Sequence, residues 1–165
     1  MVKVLPDYIT EDEEQVLLSQ FPKRPFNGSR DRNTTTRYGS ILPYKTKVYP
    51  NIPDYFATII ERLRMDKIIE SDSVTVNEYH PTQSISWHID SLSSGPTIIV
   101  LSLESEAIML LRKHTNHDEQ QTIILPARSL LMLDGEERYE WEHSIKPLLH
   151  HRYSIVFRKG TDVNI

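Results

Sequence analysis

From residue 73 onward the chain reads with a period of two. The runs VTVNEY (74–79), GPTIIVLSL (95–103), AIMLLR (107–112), QTIILP (121–126), RSLLML (128–133) and HRYSIVFR (151–158) are short, rich in β-formers and separated by turns or polar segments. No strong stripe of helical period lies between them, so the crossover helices of a parallel α/β sheet are missing. What remains is an antiparallel sandwich or jelly roll, mainly β with flanking N-terminal helices (α+β).

Two helices are expected ahead of the strands. Thr10 followed by Glu13 is a capping-box pattern, with Val16, Leu17 and Phe21 on an apolar side before Pro22 stops the helix. Asp54 is placed to cap the second, where Phe56, Ile59, Ile60 and Leu63 recur at helical spacing and predict core contacts. Between them, residues 22–53 carry seven prolines and glycines, which predicts turns and short extended pieces. At 165 residues the chain has the length of one domain. Residues 1–72 are expected to hold the helices and 73–159 the jelly-roll core.

Composition removes several chemistries. There are no cysteines, so disulfides, iron–sulfur clusters and thiol nucleophiles are excluded and any metal must sit on His, Asp or Glu. No apolar run has the length of a membrane span, and the opening MVKVLPDYITEDEE is too acidic for a signal peptide. A cytoplasmic monomer that does not engage membranes is the expectation. The net charge is −4, but residues 21–50 hold seven basic side chains against Asp31 alone. That stretch is therefore +6 and the rest of the chain −10, the pattern of a local phosphate-facing surface on an acidic body. A solvated loop of arbitrary charge reads the same way.

In Trp87-His88-Ile89-Asp90, alternation along a strand puts His88 and Asp90 on one face. With His143 of WEHSIKP as a third ligand, two imidazoles and a carboxylate would leave coordination positions open, as non-haem Fe(II) oxygenases require. With 7 His and 10 Asp in the chain, a His-x-Asp pair arises about 0.4 times by chance, so the pair alone is weak. The last strand adds to it. Tyr153, Ile155 and Phe157 form one face; Arg152, Ser154, Val156 and Arg158 form the other. Two inward arginines are costly unless an anion satisfies them. Their separation along roughly 20 Å of strand, less the reach of each side chain, leaves room for a short dicarboxylic acid. Thr75, Asn77 and Tyr79 share another face, with an amide and a phenol suited to carboxylate oxygens.

The ordered series Asn77-x-Tyr79, His88-x-Asp90, His143 and Arg152-x-Ser154-x-x-x-Arg158 resembles the AlkB branch of the Fe(II)/2-oxoglutarate dioxygenases. The segments 76–90, 125–145 and 152–159 are similar to eukaryotic AlkB homologues, notably the domain fused to a tRNA wobble-uridine methyltransferase. The resemblance spans roughly residues 36–159. It implies a double-stranded β-helix with Fe(II) on His88, Asp90 and His143. It also implies 2-oxoglutarate held distally by Arg152 with Tyr79, nearer the metal by Asn77 and Arg158, and lined by Ser154. Dioxygen would be the co-substrate, succinate and CO2 products, and an alkylated or modified base in single-stranded or flipped nucleic acid the target. Thr36-Arg37-Tyr38-Gly39 resembles part of the family's nucleotide lid, with Tyr38 against the base and Arg37 on phosphate.

Departures from the family pattern fall outside these positions. Pro81-Thr82 stands where a Pro-Gly turn is usual, Ser102-Leu103-Glu104 where Ser-Leu-Gly is usual, and the lid region is short. Trp87 is expected in the core; Trp141 and Tyr139 are expected to position the loop of His143. His114, His117 and Asp118 sit in a polar loop, His150 and His151 read as loop or packing residues, and Glu142 as a partner supporting His143. Two other readings stay open: the same oxygenase chemistry on a protein or small molecule, and a non-catalytic jelly roll that merely holds a metal.

Overall fold

The computed structural model describes residues 1–40 and 49–161. The elements are β1 (Val2–Leu5), α1 (Glu11–Gln20), β2 (Thr34–Gly39), α2 (Ala57–Met65), β3 (Ser73–Tyr79), β4 (Ile85–His88), β5 (Ile98–Leu103), β6 (Ala107–Lys113), β7 (Asn116–Leu125), β8 (Leu130–Leu133), α3 (Glu136–Tyr139), β9 (Trp141–Ile145) and β10 (Arg152–Arg158). They build a six-stranded sheet in the order β1-β8-β5-β10-β3-β2 and a four-stranded sheet in the order β4-β9-β6-β7. Every pairing is antiparallel. This is the expected jelly roll, mainly β with N-terminal helices. Among the described residues no helix is long and apolar enough to cross a membrane.

The first helix forms as its sequence dictates. Thr10 accepts from the Glu13 amide at 3.1 Å and the Glu13 carboxylate accepts from the Thr10 amide at 2.8 Å, closing the capping box. Leu17 and Phe21 are buried, but Val16 is 61% exposed and does not belong to the apolar side. The second helix departs from expectation at its start: Asp54 opens a 3-10 turn (Asp54–Phe56) and no side chain caps either it or α2. Phe56, Ile59 and Leu63 nevertheless enter the core, with Ile60 packed at its margin.

Three strands escaped the sequence reading. β1 pairs with β8, β2 with β3, and β9, read as a loop around His143, lies between β4 and β6. Strands from before residue 73 thus complete the larger sheet. β7 also extends through the polar residues 116–121, because its ladder with β6 satisfies the backbone even where no side chain is buried.

The larger sheet is buried on both faces. Outward, Val74, Val76, Leu101, Tyr153, Ile155 and Phe157 pack beneath Leu17, Phe21, Phe56 and Leu63 of the helical layer. Inward, Tyr79, Leu131, Leu133 and Val156 meet Met109, Leu111, Trp141 and Ile145 of the smaller sheet. Two tight turns where glycine is usual are made without it. Thr82 sits at φ +76° and Glu104 at φ +70°. Left-handed backbone is strained for a β-branched residue, so Thr82 is held there by its surroundings. Its amide donates to the Leu148 carbonyl at 2.8 Å, and the following Gln83 side chain donates to Asn27, Ser29 and Arg32.

Candidate functional site

A cavity of about 80 Å³ opens between the two sheets, and every metal and co-substrate residue expected from the sequence lines it: Asn77, Tyr79, His88, Asp90, His143, Arg152, Ser154 and Arg158. His88 and His143 are register partners on β4 and β9, with ring centroids 4.2 Å apart. β4 ends at His88, so Asp90 reaches the site from the turn beyond it rather than by strand alternation. Its Oδ1 lies 3.9 Å from His88 Nε2. One donor atom from each of the three falls within 4.8 Å of the others.

The protonation states suit a cation. His88 Nδ1 lies 2.9 Å from the Ser86 carbonyl, which can only accept, so Nδ1 carries the proton and Nε2 is free. Burial pushes the His143 imidazole down to about 4, against the pull of Asp90 and with His88, Arg158 and Arg138 adding to the fall. It is neutral near pH 7, with a lone pair to offer. Burial alone would raise the Asp90 carboxyl, but Arg158, His143, His88 and Arg138 hold it below its ordinary value.

The arginines divide the other end of the cavity. Arg158 donates to Thr75 Oγ1 at 3.2 Å and reaches Asp90 Oδ1 at 3.5 Å, which ties it to the metal end. Arg152 is 1% exposed, lies 5.2 Å from the Tyr79 ring centroid and donates to Ser102 Oγ at 2.9 Å. Among the described residues its Nε has no hydrogen-bond partner and no carboxylate pairs with it. A guanidinium buried this way calls for an anion. The residues therefore fit the two groups that the resemblance implied: a neutral-imidazole and carboxylate set for a divalent ion, and a forked cation for a dicarboxylate.

Some supports were not legible in advance. Arg138, hidden within an acidic run, is 1% exposed and donates to the carbonyls of Asp90 at 3.0 Å, Ser91 at 2.7 Å and Gly95 at 3.1 Å. It fixes the turn that carries Asp90. Gly95 must be glycine there: at φ +85°, a Cβ would meet the Lys159 carbonyl oxygen at 2.0 Å. Asn33 and Thr35 donate to Asn77 Oδ1 at 3.0 and 2.9 Å, leaving its amide nitrogen to Ser154.

Other expectations are corrected. Tyr38 pairs with Val74 and turns to the outer face, 6.2 Å from the Phe56 ring, so it packs under the helices and cannot bound a base in the cavity. Arg37, paired with Thr75, is exposed on the cavity side. Trp87 is half-buried outside the core, beneath the Arg112 guanidinium at 4.2 Å. Trp141 is core, Tyr139 is 43% exposed, and His143 stands on a strand rather than a loop. Glu142 faces away from His143 to Arg112, His114 and His117. The His114, His117 and Asp118 group does not gather as a metal set among the described residues. Lys45 and Lys47 of the basic stretch, and part of its turn region, lie outside the described residues.

The profile of the 2OG-Fe(II) oxygenase superfamily matches residues 5–158. Among relatives, "Uncharacterized protein L905" of Acanthamoeba polyphaga mimivirus is 32% identical over 87% of this chain and 72% of its own. The "Alkylated DNA repair protein ALKBH8 homolog" of Arabidopsis thaliana is 31% identical over 90% of this chain and 51% of its own. The "tRNA (carboxymethyluridine(34)-5-O)-methyltransferase ALKBH8" of Mus musculus is 32% identical over 87% of this chain. The chain spans about half the length of the plant relative and about a quarter of the mouse one. The solved structure of OsALKBH1 superposes with a TM-score of 0.69 at 15% identity, covering 96% of this chain and 97% of that one, a likeness of fold.

Proposed function

The chain belongs to the 2OG-Fe(II) oxygenase superfamily, in its AlkB branch, and from that premise we propose that it oxidises an alkylated or modified base in single-stranded or flipped nucleic acid. The observation that carries the chemistry is the cavity itself, with two imidazoles and a carboxylate at one end and, at the other, a buried guanidinium without a carboxylate partner among the described residues. His88, Asp90 and His143 would hold Fe(II). Arg152 would take the distal carboxylate of 2-oxoglutarate in a forked pair, and Arg158, Asn77 and Ser154 would orient the end nearer the metal. Fe(II), 2-oxoglutarate and dioxygen together supply an oxidation that inserts one oxygen atom into a substrate C–H bond and releases succinate and CO2. On an N-methyl group the hydroxymethyl product loses formaldehyde and returns N–H. The residues' part is to bind, orient and keep the cavity dry; the apolar lining of Val100, Met109, Leu131 and Ile145 excludes water.

The nucleic-acid reading rests on charge and placement. Arg30 and Arg32 are exposed on a segment stitched to the Gln83–Ser84 turn that leads into β4 and His88. Arg37 is exposed on edge strand β2, beside Thr75 of the cavity wall. Two of the relatives are named for alkylated DNA repair and for a tRNA methyltransferase.

Anaerobic addition of Fe(II) and then 2-oxoglutarate should produce a weak visible charge-transfer band that His143→Ala abolishes. Mass spectrometry of methylated RNA, methylated DNA and tRNA after aerobic turnover should then show a demethylated or hydroxylated base. Arg37→Ala should lower the slope of log affinity against log salt by about 0.7, the loss of one phosphate contact to a single strand. A normal band with no change in any nucleic acid would turn the same chemistry toward a protein or small molecule.

A further inference from the structure

The larger sheet carries a second His–carboxylate cluster, on the face opposite the cavity. We propose that Glu78, His80 and His151 form a binding site for a borderline divalent ion of the Zn²⁺ class, separate from the His88, Asp90 and His143 set.

The β3–β10 ladder brings these residues together. Asn77 and Tyr79 point into the cavity, so Glu78 and His80 point the other way; Glu78 pairs with Tyr153 and Tyr79 with Arg152, which places His151 beside His80. The two imidazole centroids are 5.2 Å apart at 78°. Glu78 Oε1 lies 2.9 Å from His151 Nε2 and 3.7 Å from His80 Nε2, and the three donors fall within 4.8 Å of one another. A tetrahedral Zn²⁺ with bonds of about 2.0–2.1 Å needs ligand atoms about 3.3 Å apart, which those distances bracket.

Three further features point to a ligand. Among the described residues the buried His80 Nε2 has no hydrogen-bond partner, so its lone pair or proton is unmet where Glu78 is only 4% exposed. His151 Nδ1 is bonded to the Glu104 carboxylate, the arrangement by which a carboxylate orients a metal-binding imidazole, and this aims Nε2 at Glu78 Oε1. Glu104 occupies a left-handed position, where its amide donates to Glu14 Oε2 at 3.0 Å and Ser105 Oγ donates to the His151 carbonyl at 2.9 Å. The carboxylate that aims His151 thus stands where glycine would be unstrained. Phe26 closes over His80 with centroids 6.1 Å apart.

Chelator-stripped full-length protein is dialysed against Zn²⁺ and its metal content measured by elemental analysis, with circular dichroism on each variant. Two equivalents per chain are expected. Asp90→Ala should remove one, and His80→Gln the other. Glu104→Gln should weaken the second equivalent by about 10–100-fold while leaving the first unchanged. One equivalent that His80→Gln leaves intact and Asp90→Ala removes would overturn the proposal and make the cluster an imidazolium bridging two carboxylates. One equivalent that His80→Gln removes and Asp90→Ala leaves intact would instead count against the cavity as the iron site.

Discussion

The two faces of β10 are one residue apart and both buried, yet they do opposite work. Ile155 and Phe157 pack in the outer core, where shape and area set their value, and Tyr153 packs beside them with its hydroxyl donating to the Pro22 carbonyl at 3.2 Å. On the cavity face Arg152 and Ser154 are buried and Arg158 is partly so, and among the described residues the Nε of each arginine has no partner. Burial alone therefore separates neither face from the other. What differs along β10 is whether each buried polar group finds its partner among the described residues: the Tyr153 hydroxyl does, and the Nε of Arg152 and of Arg158 do not.

That contrast can be broken from either side. Asp90→Ala should bring turnover to background with the fold kept, read by succinate release and circular dichroism; full activity in this variant would mean that the cavity does not hold the chemistry. Phe157→Ala on the outer face should cost about 3–5 kcal/mol in urea unfolding, since it empties a fully buried site between helices and sheet. The protein that remains folded should bind 2-oxoglutarate with unchanged affinity. Arg152→Lys should weaken 2-oxoglutarate by roughly tenfold or more, because the ammonium keeps the charge and loses the fork. Equal affinity in calorimetry would remove Arg152 from the co-substrate site.

The smallest effect belongs to the outer layer. The Arg62 guanidinium, bonded to Glu13, holds that carboxyl below its ordinary value. Its contribution is present above the unfolded pKa and is lost as pH falls through the lower folded one. Glu13→Gln should accordingly flatten the acid limb of stability against pH, by about 1 kcal/mol or less for so exposed a pair. A limb unchanged within error would assign acid sensitivity elsewhere, the cavity carboxylate Asp90 included.

Much of the fold could be read in advance because period-two alternation is a local property. The runs that became β3, β5, β6, β8 and β10 each declare a face without reference to any partner. β1, β2 and β9 did not declare themselves: TTTRYG and WEHSI take strand form because an edge or a gap in a sheet satisfies their backbone groups. Tyr38 shows the same limit at the level of a side chain. Its motif pointed to a lid, but its pairing with Val74 turns it under the helices.

By itself, then, the sequence determined the mainly β class, the capping box of α1, and the faces of Asn77, Tyr79, Arg152, Ser154 and Arg158, since each depends on spacing within a few residues. Tertiary structure alone decided which distant pieces meet. It brought Asp90 to the imidazoles through a turn clamped by Arg138, aligned Asn33 and Thr35 on Asn77, and set His80 beside His151 across β3 and β10. Those meetings depend on strand register and sheet order, long-range pairings that no local pattern encodes.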